Sequence, residues 1–311
     1  MAFLAGRAGR TRIGEIRFNR WWFAATIGAA AALAAAAPSG LYLLAFLGAI
    51  IVTHEAGHYV VARWFGMKPT EFFWGFGPEV LSFRVGSCRY GIKAAFIGGY
   101  VKIEGMTPTS EVPEGFPESG TYRSASHWGR LLTILAGPAV NLVTAMAAFG
   151  VAELRNGASF RQSLGTAIGL VWVVIAATGA ALGRLFAQLG GYLSAVSDLS
   201  GTTEAPVRFL SPVGQAAISG QVVESGVGAS LQWFGILACA VGAINLLPLP
   251  PLDGSHAVVA IAEGVVQRVR GDRTIAFNIT RLVPVAYVTI ALFLALSVTA
   301  LILDLRDLTA S

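Results

Sequence analysis

The chain has 311 residues, 55% hydrophobic and only 13% charged, with a mean hydropathy of +0.65. That balance excludes an ordinary soluble domain and points to a protein that lives in a bilayer. A net charge of +5 raises the question of nucleic acid, but the basic residues are scattered over loops with no aromatic-basic patch, so they read as orientation signals.

The first 20 residues carry Arg7, Arg10, Arg12, Arg17 and Arg20. An alanine-rich apolar stretch at 21–37 follows and reads as a first span, with a cleaved signal peptide as the alternative because it ends in AAAAPSG. Residues 1–40 are therefore set apart from a core at 41–311. Within the core, spans are expected at about 41–63, 130–151, 231–249 and 282–303. The stretch at 165–189 is apolar enough to span as well. A sixth crossing there would reverse the next one, so it is assigned to the outer interface as an amphipathic or re-entrant segment. With the N-terminus in the cytoplasm, inner segments hold seventeen Lys/Arg and outer segments five, which follows the positive-inside rule. The fold class expected is an all-α polytopic helix bundle with a small membrane-associated β element. That element is the alternating stretch at 80–103, read as a hairpin around 85–87 and a following strand.

The second span closes on His54-Glu55-Ala56-Gly57-His58. Ionisable groups are costly in an apolar run and are usually functional there. On a helix, His54 and His58 share a face and can each turn an imidazole to one metal ion. Glu55 lies about 100° round from His54, placed to act on a metal-bound water without ligating the metal. A catalytic zinc needs a third protein ligand and an open position. Two cysteines, Cys88 and Cys239, cannot build a multi-cysteine site. A third His six residues beyond His58 fails because Trp64 stands there. The strongest candidate is Asp253 in NLLPLPPLDGSH, directly after an apolar span whose Pro248, Pro250 and Pro251 break the helix. A Pro-rich stop followed by an Asp-Gly turn is the structural alternative, and Glu79 is kept as a rival ligand. His256 is either an outer support of the site or interfacial.

These motifs occur in a telling order: HEAGH, WGFGP at 74–78, GGYVKIEGM at 98–106, AGPAVN at 136–141 and NLLPLPPLDG at 245–254. The order resembles that of the site-2 proteases, the zinc metalloproteases of regulated intramembrane proteolysis, in their bacterial form. The resemblance covers about residue 41 to the C-terminus. It implies one zinc ion per chain held by His54, His58 and Asp253, with Glu55 as catalytic carboxylate. It also implies that Asn141 and Asn245 contact substrate backbone. The partners implied are the lipid bilayer and a membrane-anchored substrate such as an anti-sigma factor or a signal-peptide remnant. The location implied is the bacterial inner membrane. Relatives often carry PDZ domains between the AGPxxN and LDG spans, whereas 152–230 is too short and too apolar for one. The alternative from another class is a metal or proton transporter using the same His/Asp cluster. No duplicated halves are visible, and a transporter gives Glu55 no task.

Overall fold

A computed structural model of the chain describes residues 13–106, 112–187, 211–272 and 277–310. Strand β1 (Ile13–Phe18) leads into helix α1 (Arg20–Ala36), and α2 (Pro38–Trp64) carries HEAGH. Strands β2 (Glu71–Val85) and β3 (Cys88–Lys102) follow, then α3 (His127–Arg155) and α4 (Phe160–Ala187). The remaining helices are α5 (Pro212–Glu224), α6 (Val227–Asn245), α7 (Asp253–Arg270) and α8 (Val283–Ala310). Among the described residues, five helical stretches are long and apolar enough to cross a bilayer: Pro38–Trp64, His127–Arg155, Phe160–Arg184, Val227–Asn245 and Ile279–Ile302. The chain is a multi-pass helical membrane protein with a small sheet.

Small residues let α2, α3 and α6 close on one another, as expected where lipid offers no hydrophobic drive between helices. A methyl group at Gly57 of α2 would sit 2.7 Å from the Ala136 carbonyl of α3, and one at Gly235 of α6 would sit 2.6 Å from the Phe149 ring. One apolar cluster, around Leu43, Ile50, Phe149 and Leu237, fills the bundle towards the N-terminal end of α2. A second, around Ala62, Leu131, Ile134 and Ala260, fills the other end. HEAGH lies between them.

The sheet has the order β1-β2-β3. Phe72 is paired with both Tyr90 and Val101, because β3 bends and embraces the start of β2. The second half of β2 returns beside 88–92 through a turn at Gly86 (φ +62°) and pairs outward with β1, Phe18 against Leu81. Residues 99–102 therefore form the outermost strip on one side, and β1 forms the outermost strip on the other. The hairpin matches its expected position, although β2 begins earlier, at Glu71. Strand β1 was not expected: Glu15 and Arg17 leave IGEIRF without a clear apolar alternation.

Helix α1, where a first span was expected, has 17 residues, about 25 Å at 1.5 Å per residue, at the short end of what crosses a hydrocarbon core. Residues 160–187 form one unbroken helix, where an interfacial 165–189 was expected; 188 and 189 lie outside the described residues. Ala167 packs near Gly150 of α3, and the Cys239 thiol of α6 reaches the Val171 carbonyl at 3.6 Å, so α4 runs antiparallel to α3 along the bundle.

Candidate active site

The helical turn of α2 sets His54 and His58 side by side, their Nε2 atoms 3.2 Å apart and ring planes at 81°. Asp253 arrives from a different direction. Helix α6 ends at Asn245, the Pro-rich segment turns the chain, and α7 begins at Asp253. Gly254 permits this approach, because a side chain there would collide with the Leu246 and Leu247 carbonyls at the end of α6. Asp253 Oδ2 then lies 3.0 Å from His54 Nε2 and 3.4 Å from His58 Nε2. That buried oxygen has no hydrogen-bond partner. The three ligand atoms all fall within 4.8 Å of one another. Two imidazole nitrogens and a stranded carboxylate oxygen turned on one point form a donor set suited to zinc, three protein ligands with room for a fourth.

Helix α3 supports this arrangement. Its Thr133 carbonyl accepts from His58 Nδ1 at 2.7 Å, and the Asn141 side chain meets His54 Nδ1 at 3.1 Å. Between them, Gly137 faces the two imidazoles. A methyl group there would stand 2.7 Å from His54 Nε2 and nearer still to His58 Nε2. Thr133, Gly137 and Asn141 stand four apart, so a single face of α3 backs both imidazoles.

Glu55 points to the sheet side. Its carboxylate accepts from the Val101 backbone N–H, and Gly99 lets the strand lie against it, since a methyl group there would be 3.2 Å from Glu55 Cγ and 2.9 Å from Ile51. Thr70 N–H bonds to the Lys102 carbonyl, so in an antiparallel ladder the neighbouring Val101 turns its backbone groups outward. The space between cluster and strand is a cavity of about 310 Å³, lined among others by Glu55, Gly99, Val101, Asn245 and His256.

The structure brings His54, Glu55, His58 and Asp253 together, with Asn245 at the cavity wall and its amide on the Val241 carbonyl at 3.0 Å. Asn141 is fully buried behind His54 and does not line the cavity. Glu79 is occupied elsewhere, accepting from Ser82 at 3.0 Å and pairing with Arg89 at 3.5 Å. Sequence reasoning missed Thr133, the close approach of Gly137 to both imidazoles and the bond from the Val101 amide to Glu55. A Gly-Pro pair inside an apolar run was a usable signal for Gly137; backbone groups leave none.

The sequence profile of peptidase family M50 matches residues 42–291. The chain belongs to that family, the site-2 proteases. This M50 chain is also similar to zinc metalloprotease Rip1 of Mycobacterium tuberculosis strain H37Rv, 27% identical over 389 residues, covering 84% of the chain and 96% of the relative. Rip1 of Mycolicibacterium smegmatis is 25% identical over 397 residues, covering 84% and 97%. Both alignments are longer than the 311-residue M50 chain, so these relatives carry residues within the match that it lacks. Membership of a peptidase family leaves the transporter alternative without support.

Proposed function

We propose that this M50 chain is a zinc-dependent intramembrane endopeptidase that hydrolyses a peptide bond in or near a transmembrane segment of a membrane-anchored protein. The observation that carries this reading is the convergence of His54, His58 and Asp253 beside Glu55 within a bundle of apolar helices. His54, His58 and Asp253 would hold one zinc ion per chain, which would supply Lewis acidity for hydrolysis at neutral pH. Glu55 takes the proton of the attacking water and delivers it to the leaving amine. Asn245, at the cavity wall, offers its amide to the substrate backbone. The alternating backbone of the outer strip at 99–102 supports a mode of substrate binding as well. An extended segment adding to that edge would lie against Glu55, its carbonyls freed from helical hydrogen bonds.

The substrates that fit are membrane-anchored proteins such as an anti-sigma factor or a signal-peptide remnant, in a bacterial inner membrane with the N-terminus of the protease in the cytoplasm. The positive-inside balance supports that orientation. The length of α4 supports a crossing in place of an interfacial role. The shorter stretch between α3 and α6, against longer relatives, supports a protease without a PDZ filter. Cleavage of a single-span substrate in membranes, compared between the parent chain and Glu55→Gln, tests the function. Cleavage that disappears with Glu55→Gln is expected, and equal cleavage by both would overturn the role of Glu55.

A further inference from the structure

Asn141 is fully buried, with Nδ2 3.1 Å from His54 Nδ1 and Oδ1 without any hydrogen-bond partner. We propose that Asn141 is a positioning residue for the metal, its side-chain carbonyl accepting from the Nδ1–H of His54 so that Nε2 is held towards the zinc. The inference rests on the zinc reading above and assigns Asn141 a task away from the substrate.

The Nε2 atoms of His54 and His58 are the ones that converge with Asp253. A neutral imidazole that gives its Nε2 lone pair to a metal carries its proton on Nδ1, so each Nδ1 needs an acceptor. His58 has one in the Thr133 carbonyl. At His54 the group in reach is the Asn141 amide, whose NH2 faces the ring. With zinc bound, that orientation would set donor against donor and still leave Oδ1 stranded, two buried groups unsatisfied. Turning the amide by 180° exchanges oxygen and nitrogen at nearly the same positions. The turned amide makes the missing bond and leaves at most one group unsatisfied. Helix α3 thereby supplies both outer acceptors, one from backbone and one from a side chain, on either side of Gly137. Such outer partners fix the ring and raise ligand basicity, and their loss typically weakens metal binding by about 10- to 100-fold.

The test is the zinc affinity of the purified full-length protein in detergent, measured against a competing chelator, with the cobalt(II) absorption spectrum as a second readout. Asn141→Leu keeps the volume and removes the acceptor, and is expected to weaken zinc by about 10- to 100-fold with an altered cobalt spectrum. Asn141→Asp keeps an acceptor and is expected to bind zinc at least as tightly as the parent. If Asn141→Asp does not fold, Asn141→Ala serves, since it leaves room for a water to accept and should lose less affinity than Asn141→Leu. Parent-like zinc affinity in Asn141→Leu would overturn the proposal, as would Asn141→Asp losing zinc to the same degree as Asn141→Leu, or Asn141→Ala doing so. Unchanged zinc with a raised KM would return Asn141 to the substrate. A parent protein that binds no zinc at all would instead overturn the zinc reading itself.

Discussion

The two walls of the cavity are built on different principles. On the helical wall, His54 and His58 stand four apart on α2, the Thr133 carbonyl and the Asn141 side chain of α3 hold their rings, and Asp253 joins them from the head of α7. On the sheet wall, the strip at 99–102 presents backbone, with Val101 N–H turned to Glu55. The first wall is specific to one ion and tolerates little change. The second, receiving substrate by strand addition as proposed, would take any sequence that can be drawn out extended.

That contrast breaks first at Gly137. Gly137→Ala drives a methyl group into both Nε2 atoms, so zinc content should fall to background and cleavage with it, whereas overpacking alone costs about 1–3 kcal/mol and leaves a folded helix bundle. Retained zinc in a folded Gly137→Ala protein would show that α3 does not set the metal spacing.

On the opposite wall, Val101→Pro removes one backbone donor beside Glu55 and leaves the ligands untouched. Zinc content should stay at the parent level while cleavage drops about 10-fold or more, the scale of a hydrogen bond to a charged group. Unchanged cleavage would mean that the edge strand neither holds Glu55 nor receives substrate.

A smaller effect is expected from the substrate. Each Gly placed for Ala in its span lowers the cost of leaving the helix by about 1 kcal/mol, worth up to about 5-fold in rate, whereas trimming its external domain should matter less. Rates that follow external size and ignore span composition would restore a filter outside the membrane. The last effect is one of labelling without any change in activity. Cysteines at Ser159 and Ala187, in a background lacking Cys88 and Cys239, should label from opposite sides if α4 crosses. Labelling from one side would return this segment to the interface.

The helical wall was largely legible in the sequence, whereas the sheet wall was legible as a hairpin and strand but not in its place beside Glu55. His54, Glu55 and His58 declare themselves by spacing on one helix, and Asp253 by the broken backbone before it. Asn141 was visible as a residue but not as a neighbour of His54, because helix pairing between α2 and α3 is set by glycines whose partners lie about eighty residues away. The 99–102 edge depends on β3 bending round the start of β2, which alternation alone does not encode. At α4 a parity argument set a plainly apolar run of helical length at the interface, and the labelling of Ser159 and Ala187 decides between interface and crossing.

The zinc centre itself is tested most directly by metal analysis of two purified variants side by side. Glu55→Gln should hold one zinc per chain and cleave nothing, because Glu55 moves protons and does not ligate. Asp253→Ala should lose both zinc and cleavage. Full zinc occupancy in Asp253→Ala would contradict the assignment and place the third ligand elsewhere in the chain.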